Sequence, residues 1–350
     1  ALGEGPGAPW ERWLGLALVG VVWMATALWQ DGVCDVMTQD AFFIESLPAL
    51  ETAAAADELD VQALPGPVFE HIAFGVNSYG VYGDGRERPD WFDDARVRQG
   101  MTLCLNRESL VADVLNGRSA VIHSYVPDNH PLYSEDLPAW DYDPAAGRRL
   151  IEQAGYVDTD GDGIREDPIT ERPFQISLLT DNGNSVREPV TERFRLDMLA
   201  CGIRVDLLFA APLELYADGP AGTVFGRSFD LAQFAWLSAV EPPCHLWLGR
   251  NITGPREEGF GGWGNVNPTG WQNDAFDAAC QAGITALADG ETYTTSHQAA
   301  MAIFAEELPI IPLFAYPKTA VARADVVGFR LDSSQLSELW NVAEWDLERP

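Results

Sequence analysis

The chain has 350 residues, 47% hydrophobic and 21% charged, with 22 Lys+Arg against 53 Asp+Glu and a formal net charge of −31. The length suffices for two domains with real cores, and the composition is that of a globular protein. The acidity argues against nucleic acid and anionic membrane surfaces as partners, since both are held by cationic side chains, and reads first as a device for solubility.

In chain order, a Gly- and Pro-rich start leads into an uncharged stretch from Trp13 to Trp29. Its length leaves three readings open for this apolar N-terminal segment (1–29): a membrane anchor, the end of an export signal, or a buried element. The Ala- and Glu-rich run from Phe42 to Leu59 predicts a helix. Val61 to Leu64 and His71 to Val76 read as short strands on either side of Pro65-Gly66-Pro67, and Gly83 to Pro89 is a turn-forming boundary candidate.

Two helices follow. One starts near Asp93-Asp94 and turns Val97, Met101 and Cys104 inward; the other is capped by Asn106 and stopped by Asn116-Gly117. Asp143-Pro144 opens a further helix that Gly155 ends. Phe174 to Leu179 and Ile203 to Phe209 read as strands around a helix from Pro189 to Ala200, a βαβ unit with parallel strands. The strand Phe229 to Trp236 is expected in the same sheet. Helices near Asp274 to Leu287 and Tyr293 to Glu307, an apolar segment Ile310 to Ala315, and a strand near Val326 to Leu331 close the chain.

Two stretches carry chemistry. Asp158-Thr159-Asp160-Gly161-Asp162-Gly163-Ile164 has carboxylates at positions one, three and five of a tight loop, with a glycine at six. That spacing suits a hard cation such as Ca²⁺, with the Ile164 carbonyl as a further ligand and Glu166 or Asp167 completing the shell; position twelve is Ile169 where a calcium loop has a bidentate Glu. The other reading is a plain acidic turn. The segment 237–273 after Trp236 is a long loop holding Trp247, Trp263 and Trp271 among prolines, glycines and asparagines. Loops of this length are functional or disordered, and the aromatics argue against disorder. Wide aromatic faces beside amides suit a peptide or a sugar, and the alternative is a hydrophobic cluster beneath a loop. No CxxC, HExxH or HxH motif occurs among the five cysteines and five histidines, which argues against zinc.

Together, Phe92 to Gln99, Asn106 to Val111, Asp158 to Glu166, Phe229-Asp230-Leu231 with Trp236, Gly270 to Asn273 with Phe276-Asp277, and Leu308 to Leu313 resemble the family 5 extracellular solute-binding proteins of ABC importers. The likeness runs from about Gln30 to the C-terminus. It implies an α/β fold of the two-lobed periplasmic-binding-protein type (class II-like) with lobe one incomplete. On that reading 30–90 is partial lobe one, 91–315 is lobe two and 316–350 returns to lobe one. The resemblance also implies a monomer without catalytic residues and needing no cofactor, outside the cytoplasmic membrane, closing over a peptide or other small solute and passing it to a membrane permease. Trp236 aligns with the family's cleft tryptophan, Glu241 falls near an acidic residue that pairs with a peptide amino terminus, and Asn267 and Trp271 lie in the ligand-facing loop. An extracellular hydrolase of peptides or glycans, and a calcium-dependent adhesion module, are the alternatives.

Cys244 and Cys280 flank the aromatic loop and are expected to be bonded, which would tie its two ends. Cys34 and Cys104 form a second candidate pair, leaving Cys201 over.

Overall fold

The computed structural model describes residues 34–38, 47–56, 59–79, 89–288 and 290–348. Trp13 to Trp29 and most of the Gly83 to Pro89 boundary candidate lie outside them. The chain divides into two compact units, one spanning Pro65–Tyr316 and the other made of the residues up to Leu64 with those from Pro317 on.

The larger unit is built on the later part of β2 (Leu59–Phe74), on β3 (Gln175–Asp181), β4 (Arg204–Ala210) and β5 (Leu231–Leu237), and on the first part of β6 (Ile310–Arg323), in the order β6-β2-β5-β3-β4. The βαβ unit has the expected form: β3 and β4 run parallel in register from Gln175↔Arg204 to Asp181↔Ala210, joined by a helix over Arg187–Ala200. Strand β5 joins β3 in parallel (Leu178↔Leu231) and pairs with β2 in antiparallel fashion (Val68↔Leu237 to Phe74↔Leu231). Residues Leu231–Phe234 are buried, as an apolar strand covered on both faces should be.

Helices α1 (Leu47–Ala54), α2 (Ala95–Cys104), α3 (Arg107–Val114) and α4 (Pro144–Gln153) precede that crossover helix, α5. After it come α6 (Pro212–Leu215), α7 (Asp274–Thr285) and α8 (Glu291–Glu307). Their ends follow local chemistry. Asp94, Asn106, Asp143 and Asn273 each accept a backbone N–H of the first turn, and Asn116 (φ 52°) and Gly117 (φ 70°) supply the left-handed exit after α3. Helix α8 ends on Leu308, also left-handed (φ 47°), where the buried Arg98 guanidinium donates to the Glu307 and Leu308 carbonyls. The core gathers Phe69, Tyr125, Phe234, Trp247, Trp271, Phe276 and Phe304 between the sheet and α7–α8.

Two expectations are corrected. Pro65-Gly66-Pro67 does not separate two strands: β2 runs through it as one 16-residue strand. Proline lacks a donor, but pairing with β5 begins only at Val68, so both prolines sit where β5 asks for none. Likewise the apolar segment at Ile310 extends to Arg323, while the strand expected over Val326 to Leu331 shrinks to Val326–Val327 (β7), paired with Asp346–Leu347 (β8).

In the smaller unit, β1 (Val36–Thr38) pairs antiparallel with β6, and Met37, Leu47, Leu50, Leu59 and Val321 pack together. Helix α1 occupies the middle of the run read as helical, which ends with Leu59 already in β2. Lys318, the chain's only lysine, is buried with its Nζ on the Asp332 and Gln335 carbonyls. No helix among the described residues is long and apolar enough to cross a membrane.

Candidate functional site

In an open sheet of this kind, ligands gather outside the carboxyl ends of the parallel strands. Here that edge holds Asp181 at the end of β3, Trp236 at the end of β5, and the first residues of α5 and α6. Trp236 is half-buried, with its ring 5.9 Å from Phe234 and 6.3 Å from Phe225. It leaves an aromatic surface at the rim while its root is fixed by the core.

On the opposite face of the β2–β5 pair, one position along in register, lies a group that the sequence analysis did not single out. Glu70, fully buried in β2, accepts from Arg187 Nε (2.8 Å) and Nη2 (3.2 Å), from Gln233 Nε2 (3.1 Å) and from the Tyr316 hydroxyl (2.9 Å). Arg187 Nη1 donates to Asp181 and lies 2.9 Å from the Tyr216 hydroxyl. Tyr216 in turn stands 6.3 Å from the Phe234 ring, so the ionic group and the Trp236 rim share one aromatic neighbour. Burial pushes the Glu70 carboxyl up, and Arg187, Tyr316 and Gln233 pull against it. Burial works against the Arg187 charge too, but Glu70 and Asp181 outweigh it and hold the guanidinium above its ordinary value. Burial, reinforced by nearby Arg187, drives His71 down to about 3, so it is neutral at pH 7; its ring packs edge-on against Phe234 at 4.3 Å. Neither ring nitrogen of His71 meets a partner among the described residues. A Glu-His pair inside the apolar run Phe69 to Phe74 was the available signal, since a buried strand carries a carboxylate only when a partner waits.

The loop after β5 is ordered by three short 3-10 helices, Cys244–Trp247, Gly249–Asn251 and Arg256–Glu258. Buried Arg227 braces it, donating to the Asn77 and Thr253 carbonyls with its guanidinium 4.4 Å from the Phe260 ring. Asn267 is wholly buried: its amide donates to the Leu248 and Trp271 carbonyls, and its oxygen accepts from the Thr269 N–H and hydroxyl. Trp271 is 4% exposed, 5.1 Å from Phe276 and 6.2 Å from Phe304. These two residues shape the loop from within. Glu241 is exposed just beyond the strand end, near enough to His245 to oppose the downward pull of burial on that imidazole.

Cys244 and Cys280 are bonded, with Cα atoms 5.8 Å apart, so the loop is tied to α7. The second pairing differs from expectation: Cys104 is bonded to Cys201 and Cys34 is the free thiol. Cys104 ends α2 and Cys201 follows α5, helices that pack on one another.

Asp158, Asp160, Asp162 and Glu166 bring ligand oxygens within 4.8 Å of one another in an exposed loop, a set that could hold an ion. The loop also stands on its own bonds: Asp158 accepts the Gly161 and Gly163 N–H groups (2.7 and 3.0 Å), Asp162 accepts that of Ile164 (2.7 Å), and Glu166 accepts from Thr159. The Ile164 side chain is buried.

A family model described as bacterial extracellular solute-binding proteins, family 5 (middle), matches residues 24–248. The oligopeptide-binding protein AppA of Bacillus subtilis is 34% identical over 130 residues, 36% of this chain and 23% of that protein. A dipeptide-binding protein of Pseudomonas aeruginosa is 22% identical over 297 residues, 85% of this chain and 49% of the other. Among solved structures, the oligopeptide binding protein of Thermus thermophilus complexed with a pentapeptide superposes with a TM-score of 0.68 at 24% identity, over 89% of this chain and 51% of that one. The chain thus spans about half or less of the length of these relatives. With the mixed sheet, the strand-end rim and the ordered aromatic loop in place, the chain belongs to the bacterial extracellular solute-binding proteins, family 5.

Proposed function

We propose that the chain acts as the solute-capturing component of an ABC importer, taking peptides or a related small solute outside the cytoplasmic membrane and passing it to a permease as a monomer. The observation that carries this reading is the half-buried Trp236 at the carboxyl end of β5, with the Asp181–Arg187–Tyr216 group at the strand ends, in a chain of a solute-binding family. Indole and tyrosine faces with a few fixed polar groups are the lining such sites use. Several relatives are named for oligopeptides or dipeptides and another for nickel, so peptides are the first solutes to try and metal chelates the second. The family is one of binding proteins, which weighs against the hydrolase alternative. Affinity on this reading comes from closure over the solute, driven by contacts made only in the closed state. For the acidic loop we propose Ca²⁺ as the cation, on the strength of its all-oxygen donors.

The experiment is a thermal-shift screen of the chain with di-, tri- and pentapeptides, oligosaccharides and metal chelates, with and without Ca²⁺. A solute present at a hundred times its Kd should stabilise by about 2.7 kcal/mol. Turnover of a peptide or glycan in the same tubes overturns the receptor reading.

A further inference from the structure

A buried carboxylate in the middle of a sheet needs a reason, because an uncompensated one is costly. Asp181 by itself would give Arg187 a counter-charge at the rim. Glu70 supplies a second carboxylate from beneath, and takes the guanidinium with both oxygens, at 2.8 and 3.2 Å, a forked geometry that fixes its plane as well as its position. Glu70 is itself held by Tyr316 and Gln233, and the only other polar atom of that amide, Gln233 Oε1, is buried without a partner among the described residues. So the donors converge on Glu70, and the group they fix lies largely enclosed at the strand ends: Arg187 Nη1, Asp181 and the half-buried Tyr216.

We propose that Glu70 is a positioning residue for the strand-end rim: enclosed and touching no solute, it holds the Arg187 fork, and through it Asp181 and Tyr216, in the arrangement that meets the solute. This rests on the solute-binding reading of the rim. Besides what the buried pair contributes to the stability of the whole unit, its effect is greatest at the turn that enters α5. There Val186 and Arg187 donate their N–H groups to Asn184 Oδ1 (3.0 and 3.1 Å) and Glu188 donates to the Asn184 carbonyl (3.1 Å). A loosened Arg187 frees these three amides first.

Hydrogen exchange on the full chain tests the positioning without any solute. In Glu70→Gln, exchange at Val186, Arg187 and Glu188 should accelerate about tenfold or more beyond any acceleration of the amides within β3 and β4, the equivalent of 1.4 kcal/mol. Arg187→Lys, which keeps the charge and loses the fork, should do the same, and serves if Glu70→Gln does not fold. Tyr316→Phe, which removes one of the donors that hold Glu70, should accelerate the same three amides to a smaller extent. Unchanged exchange at the three amides in a folded Glu70→Gln or Arg187→Lys chain overturns the proposal. Equal acceleration throughout Pro65–Tyr316 overturns it too, since that is a general loss of stability. Calorimetric titration with Ala-Ala-Ala and with pentaalanine reads the solute side, and binding should weaken at least tenfold in Glu70→Gln. A wild-type chain that binds neither peptide counts against the solute reading of the rim, while the exchange rates still decide the positioning.

Discussion

Glu70 and Arg187 stand 117 positions apart in the chain and meet at 2.8 Å inside the sheet, the carboxylate wholly enclosed and the guanidinium nearly so. Removing one partner strands the other. Arg187→Met should therefore cost about 3–5 kcal/mol of stability, and Glu70→Met with Arg187→Met should recover most of it, since two apolar side chains of similar bulk replace the pair. Urea unfolding of the three chains reads both numbers. A double variant no more stable than the single one would mean that Tyr316 and Gln233 depend on the carboxylate as much as Arg187 does.

His71 gives the fold an acid sensitivity whose sign can be worked out. Its folded value is depressed to about 3, against an ordinary 6.5. Below pH 6.5 the unfolded chain takes up a proton that the folded chain refuses, so stability is lost as pH falls from 6.5 toward 3. Between pH 6.5 and 4.5 this amounts to about 2 kcal/mol, at 1.36 kcal/mol per pH unit less the rounding near 6.5. His71→Phe should remove that part of the slope, read as the difference between the two chains' urea midpoints at the two pH values. Parallel slopes would show that the imidazole is protonated in place.

Trp236 and Trp271 should part company on substitution. Trp236→Ala, at a half-buried rim position, should weaken solute binding by about 1–4 kcal/mol with little change in unfolding. Trp271→Ala opens the core between Phe276 and Phe304 and should cost about 3–5 kcal/mol of stability. Calorimetric titration and urea unfolding separate the two. Equal stability losses would place Trp236 with the core.

The Cys244–Cys280 bond closes a loop whose ends are 36 positions apart. On the loop-entropy model, replacing both with Ala should cost about 3–4 kcal/mol. Of five cysteines, four are bonded, so thiol titration in denaturant without reductant should find one per chain.

For the acidic loop, chelation should lower the melting temperature of the wild-type chain, and Asp160→Ala should abolish the difference. The exposed turn already satisfies its own backbone donors, so identical melting curves with and without chelator would retire the calcium reading.

Much of the fold was legible because its signals are local. Caps at Asp94, Asn106, Asp143 and Asn273, left-handed stops at Asn116-Gly117, and apolar strands around an amphipathic helix each follow from a few neighbouring residues. The continuity of β2 through Pro65-Gly66-Pro67 was not, since whether a proline breaks a strand depends on which partner asks for its missing N–H. Residue type alone suited Asn267 to a ligand or to a loop brace, and only burial shows that both ends of its amide are consumed within the loop. Cysteine pairing is a question of distance in space, which spacing along the chain does not determine. The Glu70–Arg187 pair was illegible for the same reason.

The two disulfides enclose consecutive stretches of chain, first 104–201 and then 244–280, and neither ring contains or interleaves the other. During synthesis from the amino end, the earlier ring can be sealed before the cysteines of the later one exist, and the correct partner of each pair is then the next cysteine to arrive. Cys34 is the exception to this orderly queue. It precedes both rings in the sequence, is the free thiol among the described residues, and can compete with Cys201 for Cys104. Production in an oxidising compartment should therefore yield a mispaired fraction carrying a Cys34–Cys104 bond, and Cys34→Ser should suppress it.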